Sequence, residues 1–155
     1  MVTMARRMVL GGLVLVLPSC SKASAATITV YRDPGCGCCE GWTSQLKAHF
    51  PRQVAVIDTP NRAPIQQKSG MPLELASCHT ALIDGLLFEG HVPFAEVERL
   101  LAQRPPGVNG LAVPGMPTGS PGMEVDPPRT DPYEVVAFGT VAPFVYARYG
   151  DAGPA

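Results

Sequence analysis

Hydrophobic and polar residues recur with two different periods along the first part of the chain. Residues 27–33 (TITVYRD) alternate and are rich in β-branched side chains, which predicts a β-strand. Beyond a cysteine-rich turn, Trp42, Leu46 and Phe50 recur every four residues, which predicts a helix with one apolar face. Residues 53–59 (QVAVIDT) are mostly apolar, so we expect a second strand that is buried on both faces.

Helices and strands continue to alternate in the next segment. Residues 61–70 predict a short helix that ends at a glycine, and residues 79–84 and 86–90 predict two strands joined by an Asp-Gly turn. Residues 94–104 (FAEVERLLAQR) predict another amphipathic helix. The order β-α-β-α-β-β-α predicts one α/β domain with a thioredoxin-like fold, in which helices cover both faces of a central mixed sheet.

Residues 105–128 differ in composition from the rest of the chain. Twelve of these 24 residues are Gly or Pro, and the segment also carries Met116 and Met123. A segment of this kind predicts a long irregular loop, which in compact domains usually has a function. Residues 133–138 and 143–149 regain strand character, so we expect the chain to return to the edge of the sheet.

The first 25 residues predict export rather than structure. A pair of arginines precedes a short apolar run, and the small residues 23–25 supply a cleavage pattern for a signal peptide. The paired arginines also fit a twin-arginine signal, and Cys20 ends a sequence similar to a lipoprotein box. We therefore expect a periplasmic protein, soluble or lipid-anchored through Cys20, whose residues 26–155 form a single domain.

Charge and hydropathy exclude two classes of partner. The leader holds three of the 12 basic residues and none of the 13 acidic ones, so the remaining chain is acidic. There is no basic stripe for nucleic acid, and the apolar run of the leader is too short for a comfortable membrane span. The sequence therefore predicts neither a nucleic-acid partner nor a transmembrane domain.

The cysteines carry the strongest chemical signal. Cys36, Cys38 and Cys39 fall within four positions, and Cys78 lies at the start of the predicted third strand. Four cysteines in an exported protein usually form two disulfides, but a bond between adjacent cysteines is strained. Cys36 and Cys39 also form a C-x-x-C at a strand-to-helix junction, where thiol oxidoreductases carry their redox pair. Disulfide exchange and metal binding both fit these residues.

The third thiol of the turn, Cys38, favours a soft metal ion. Disulfide exchange needs two thiols, and three thiolates on one turn repel each other unless cations lie between them. Cu(I) prefers thiolate and thioether ligands, and thiolates can bridge two such ions; Ag(I) is the alternative soft ion. Zinc bound by Cys36, Cys38 or Cys39, Cys78 and His79 fits the usual zinc spacing less well. A structural disulfide from Cys78 to Cys36 or Cys39 is the remaining alternative.

Two histidines and two methionines are candidates for the same site. His79 follows Cys78 within a predicted strand, where neighbours point to opposite faces, so His79 is a ligand only if the backbone bends there; otherwise it is a core residue. His91 ends the hairpin and is either a group that supports a ligand or a helix-start residue. Met116 and Met123 are candidate thioether ligands on the long loop, with ordinary packing as the alternative.

Four motifs in order, DPGCGCCEGW, SCHTA, EGHVP and GLAVPGMPTGSPGME, resemble the CopG-type family of exported copper-resistance proteins. The resemblance implies a thioredoxin-like fold and a multinuclear Cu(I) site on cysteine sulfur. By motif, the ligands would be Cys36, Cys38, Cys39 and Cys78, with His79, Met116 and Met123 near the site. Copper oxidoreductase activity is a further candidate function for such a family.

The residues and the resemblance together predict a periplasmic protein that holds Cu(I) for copper resistance or homeostasis, with the Gly/Pro/Met loop as a lid over the metal. The first rival is a thiol–disulfide oxidoreductase of the thioredoxin-like class. The second is a metallochaperone that delivers copper to an efflux pump or another partner.

Overall fold

The computed structural model describes residues 27–150. The predicted signal peptide, with Cys20 and the paired arginines, lies outside the described residues. Within the described range the helices and strands are β1 Ile28–Arg32, α1 Gly37–His49, β2 Val54–Asp58, α2 Ala63–Lys68, β3 His79–Ile83, β4 Leu86–Glu89, α3 Phe94–Gln103, β5 Val108–Ala112, β6 Tyr133–Gly139 and β7 Phe144–Tyr149. In this part of the chain no helix has both the length and the apolar character needed to cross a bilayer.

The strands form one mixed sheet in the order β2-β1-β3-β4-β5-β6-β7. β1 pairs parallel with β2 and antiparallel with β3, and β3 pairs antiparallel with β4 across the predicted Asp-Gly turn. β4 and β5 are parallel, while β5, β6 and β7 are antiparallel to each other in turn. The predicted α/β class and mixed sheet are thus confirmed.

Buried side chains form two hydrophobic clusters, and single strands contribute residues to both of them. In β4, Leu86 and Phe88 belong to the larger cluster and Leu87 to the smaller one. Because successive side chains of a strand point to opposite faces, the two clusters lie on opposite faces of the sheet. Helices α1 and α3 contribute Trp42, Leu46, Val97 and Leu100 to the larger cluster, and Ile65 of α2 packs against the smaller one.

Two predictions about the sheet are wrong in detail. β2 is an edge strand, so Ile57 is 43% exposed instead of being buried on both faces. Part of the range predicted as an irregular loop, residues 105–128, forms the buried strand β5. A Cβ at Gly110 would lie 2.0 Å from the Leu87 carbonyl oxygen, so this strand needs a glycine that depresses its sequence signal.

Candidate metal centre

The pairing of β1 with β3 brings the two cysteine-bearing segments together. Arg32, the last residue of β1, lies opposite His79, the first residue of β3. The backbone N–H of Asp33 then donates to the carbonyl oxygen of Cys78 (3.3 Å). The turn that follows β1 and the residue that precedes β3 therefore meet at the same end of these two neighbouring strands.

Helix α1 begins at Gly37, within the cysteine-rich turn that sequence analysis placed before the helix. Cys36 is its N-cap, and the sulfur of Cys36 accepts the backbone N–H of Cys39 (3.4 Å). A sulfur atom thus does the work of the oxygen that usually caps a helix. As a consequence, Cys38 and Cys39 occupy the first helical turn, directly above the start of β3.

Four cysteine sulfurs converge at this place. The Sγ atoms of Cys36, Cys38, Cys39 and Cys78 all lie within 4.8 Å of one another. Cys36 and Cys39 form a disulfide, and Cys38 and Cys78 are free thiols. Cys38 Sγ lies 3.4 Å from Cys36 Sγ and 4.0 Å from Cys78 Sγ. The alternative of a structural disulfide that includes Cys78 is therefore wrong in this structure.

His91 aims a ring nitrogen at the sulfur cluster. Its Nε2 lies 3.4 Å from Cys78 Sγ, and its Nδ1 lies 2.8 Å from the carbonyl oxygen of Pro121. A carbonyl can only accept, so Nδ1 carries the proton and Nε2 presents its lone pair towards the sulfur. This is the arrangement of a metal-ligating histidine, with the second nitrogen oriented by a backbone carbonyl. Sequence analysis had offered His91 only as a group that supports a ligand or as a helix-start residue.

His79 also reaches the cluster, because Cys78 lies outside the regular part of β3. The Nδ1 atom of His79 is 3.5 Å from Cys78 Sγ, so the opposite-face rule for strand neighbours does not apply here. The His79 ring is fully buried and packs 4.7 Å from the Trp42 ring and 4.9 Å from the His91 ring, measured between centroids. Among the described residues, its Nε2 has no hydrogen-bond partner.

Burial disfavours charge on the groups around Cys78. Burial, followed by the proximity of Cys38, raises the pKa of the Cys78 thiol to about 11. Burial and the neighbouring His91 lower the pKa of His79 to about 3, and burial also lowers the pKa of His91. At neutral pH both imidazoles are therefore free bases that can ligate, while a metal ion must displace the proton of Cys78.

The two candidate methionines differ in position. Met116 Sδ lies 3.9 Å from Cys38 Sγ, and the side chain is 55% exposed. Met123 forms two backbone hydrogen bonds within the loop, to Ser120 and Gly119. The structure therefore brings Met116 to the cluster and leaves Met123 as an untested prediction.

The loop that carries both methionines packs closely on helix α1. Gly41 and Gly122 lie face to face, since a Cβ at Gly41 would be 3.2 Å from the Gly122 Cα. Gln45 on the helix donates to Glu124 on the loop (2.8 Å). This packing places the Pro121 carbonyl against His91, so the docked loop orients the His91 ring.

A polar network below the cluster escaped sequence analysis. Glu89 is fully buried and accepts hydrogen bonds from the Ser77 N–H (2.8 Å), the Thr80 hydroxyl (2.5 Å) and the Gln66 amide (3.0 Å). Burial raises its pKa to about 7. The sequence did carry one signal for this network, because Glu89 is a carboxylate in the otherwise apolar strand LLFE. Acidic side chains are rarely buried without a partner, so its position indicates a buried polar contact.

Fold and cluster together define a class of protein: a mixed α/β domain with a cysteine–histidine cluster, suited to a metal ion, beside the start of its first helix. Two solved structures of copper resistance protein CopG, called Form 1 and Form 2, are similar to this chain. They are 39% and 40% identical, cover 80% and 79% of this chain and 97% of their own, and superpose with TM-scores of 0.72 and 0.71.

The chain belongs to the CopG family. A family described as "protein of unknown function, DUF411" also matches residues 75–123, a range that begins after the cysteine turn and includes Cys78, both buried histidines and both loop methionines. A comparison with curated protein sequences finds no match. The resemblance seen in the four sequence motifs is thus confirmed.

The close contact between loop and helix predicts that Gly122→Ala loosens the loop. At Gly122 φ is +82°, and a Cβ would lie 2.6 Å from the backbone nitrogen of Trp42 and 2.8 Å from the backbone oxygen of Cys38. Gly115→Ala is the matched control, because φ is +72° there but nothing lies within 4 Å of the added Cβ. Backbone strain should lower the free energy of unfolding of both variants by ~1–2 kcal/mol. Overpacking should lower that of Gly122→Ala by a further ~1–3 kcal/mol. Urea unfolding measures both losses, and equal losses would contradict the close packing.

Proposed function

We propose that this chain binds copper as Cu(I) in a multinuclear site on its cysteine sulfurs, and that it serves copper resistance or homeostasis. The observation that carries the proposal is the convergence of four cysteine sulfurs within 4.8 Å. Thiolates held so closely repel each other, and monovalent soft cations between them remove that repulsion. The similarity to copper resistance protein CopG supports copper as the ion.

More than one ion fits this donor arrangement better than a single ion does. Cys38 and Cys39 are neighbours in one helical turn, so they are poorly placed to chelate the same ion. Each can instead bridge different ions, and equal numbers of thiolates and Cu(I) ions form a neutral assembly that suits a half-buried site. Zinc is disfavoured because its structural sites use separated ligand pairs and no bridging. Ag(I), with the same charge and softness, is expected to bind as well.

Full loading requires reduction of the Cys36–Cys39 disulfide. Two electrons and two protons from a dithiol reductant convert it into two thiols, which lose their protons as copper binds. In the oxidised state the cluster offers Cys38, Cys78, the Nε2 of His91 and the thioether of Met116. We therefore expect the amount of copper bound to depend on the redox state of this pair.

We assign the nitrogen and thioether donors by their distance from the cysteine sulfurs, beginning with the shortest. His91 presents an oriented lone pair to Cys78, and His79 presents Nδ1 at a similar distance. Met116 completes the set from the exposed side, where a copper ion would enter or leave. Met123 stays a candidate that would need the loop to rearrange.

We infer that the fold is thioredoxin-like, with helices on both faces. The strand order β2-β1-β3-β4, with a parallel β1–β2 pair and antiparallel β3 and β4, supports this inference, as do the helical members of the two core clusters. The predicted export signal supports a periplasmic location, where a copper-resistance protein meets incoming copper.

A thiol–disulfide oxidoreductase is the second candidate. The observation that favours it is the Cys36–Cys39 disulfide, which lies at the start of a helix that follows a strand. A two-thiol enzyme has no need of Cys38, whereas a bridged cluster does. Substitution of Cys38 therefore separates the two functions.

We expect the reduced chain, kept free of oxygen, to bind more than one copper ion, and the Cys38→Ser variant to bind fewer because a bridging sulfur is lost. Copper is counted by elemental analysis, beside a free-thiol count. Cys20→Ser is the matched control, because that cysteine lies in the predicted leader, and its copper content should equal that of the parent. Retention of the full copper content by Cys38→Ser, together with copper-independent disulfide exchange, would favour the oxidoreductase and contradict the cluster.

The oriented imidazole of His91 leads to a second prediction for the loaded protein. His91→Gln should weaken Cu(I) binding by roughly ten- to hundredfold, the range seen when groups around a metal are removed. Competition with a Cu(I) chelator measures the change. His49→Gln is the control, since His49 is exposed and pairs with Glu98 away from the cluster. Unchanged affinity in His91→Gln would show that the lone pair of Nε2 does not face a bound ion.

A further inference from the structure

Ser77 connects three segments of the chain just before Cys78. Its backbone N–H donates to the buried Glu89 carboxylate (2.8 Å), and its hydroxyl donates to the carbonyl oxygen of Gly115 (2.8 Å), next to Met116. Its carbonyl oxygen accepts from Nη2 of Arg62 (2.8 Å). Two ionisable side chains, those of Glu89 and Arg62, therefore hold both backbone polar groups of the residue that precedes Cys78.

Arg62 also contacts the other cysteine-bearing segment. Its guanidinium forms an ion pair with the carboxylate of Asp33, in which Nη2 lies 3.4 Å from Oδ2. Asp33 belongs to the turn that leads into helix α1, because its carbonyl oxygen accepts the N–H of Cys36 (3.3 Å). One planar group thus joins the turn of Cys36–Cys39 to the segment of Cys78.

The position of Arg62 is strongly constrained. Arg62 is the N-cap of helix α2, its side chain is only 10% exposed, and its Nε is buried without a hydrogen-bond partner among the described residues. Gln66, on the same helix, donates to Glu89 (3.0 Å). A buried donor without a partner costs stability. Because Arg62 bears this cost, we expect its other contacts, with Asp33 and Ser77, to have a role.

We propose that Arg62 is the positioning residue of the centre: it sets the distance between the Cys38 and Cys78 sulfurs by tying Asp33 to Ser77. Its effect on copper rests on the proposed function, but its effect on the two thiols does not. The role needs an arginine, because the planar fork contacts both segments at the same time, whereas a lysine ammonium is a single point charge.

The first test is made without metal. In chains that carry Cys20→Ser and keep the Cys36–Cys39 disulfide, Cys38 and Cys78 are the free thiols, 4.0 Å apart. A short bifunctional alkylating reagent that fluoresces only after it bridges two thiols reports that distance. We expect Arg62→Lys to lower the bridged yield several-fold, while alkylation by a monofunctional reagent stays at two thiols per chain.

Arg52→Lys is the matched control. Arg52 also pairs with a carboxylate, that of Asp84, with a side chain that is 14% exposed, but it lies at the hairpin turn away from the cysteines. Its bridged yield should equal that of the parent. Equal losses in Arg52→Lys and Arg62→Lys would show a general loss of stability and overturn the proposal.

Asp33→Asn keeps the proposal testable if Arg62→Lys does not fold. The Asp33 side chain is 44% exposed, so loss of its charge should be tolerated while the ion pair with Arg62 is weakened. We expect the bridged yield to fall less in Asp33→Asn than in Arg62→Lys. The proposal would be overturned if folded Asp33→Asn gave the parental yield while Arg62→Lys either gave the parental yield or did not fold.

Copper titration of the reduced variants then separates the two proposals. Arg62→Lys should bind Cu(I) roughly ten- to hundredfold more weakly than Arg52→Lys does. If the parent itself ignores copper while Arg62→Lys still loses thiol bridging, the positioning role stands and the copper function fails. If the parent binds copper and Arg62→Lys binds it equally well with parental bridging, the positioning role fails alone.

Discussion

Mutual repulsion limits how many thiolates a protein can hold in one place, and this fold brings four cysteine sulfurs within 4.8 Å. Two features of the structure meet that constraint. Cys36 and Cys39 share a disulfide, and burial keeps Cys78 protonated by raising its thiol pKa. Under the proposed function, soft monovalent cations would meet the same constraint in a third way, because they would bridge the thiolates.

The rest of the structure serves to keep that set together. The register of β1 with β3 places the cysteine turn beside Cys78, and the sulfur of Cys36 starts the helix on which Cys38 and Cys39 lie. The loop packs on that helix through Gly122 and orients His91 through the Pro121 carbonyl. Local helix capping, sheet register and loop packing thus converge on one cluster.

Sequence patterns predicted the elements that carry their own local signals. β1 alternates, the hairpin turn contains Asp-Gly, and the apolar stripes of α1 and α3 repeat with helical spacing, so these elements were found with small errors at their ends. β5 was missed because Gly110, which the neighbouring strand requires, makes the segment look like part of the Gly/Pro-rich loop. β2 was misjudged because an apolar run does not reveal that its strand lies at the edge.

The candidate site was predictable to the same extent. The spacing of the cysteines indicated that Cys36, Cys38 and Cys39 act together, and the resemblance to the CopG-type family added Cys78. Sequence analysis treated His79 as a candidate ligand and His91 as at most a supporting group. The sequence could not correct this, because the orientation of His91 depends on the hydrogen bond from its Nδ1 to the Pro121 carbonyl, which is distant in the chain. Arg62 escaped notice for a similar reason: its partners, Asp33 and Ser77, are far from it in sequence and meet only in the folded chain.

X-ray absorption at the copper edge tests the central claim most directly. The reduced chain, loaded with Cu(I) in the absence of oxygen, should show a first shell dominated by sulfur and a second shell of neighbouring copper ions, because bridging thiolates hold the ions close together. A first shell of oxygen and nitrogen, with no copper neighbour at full loading, would contradict the account.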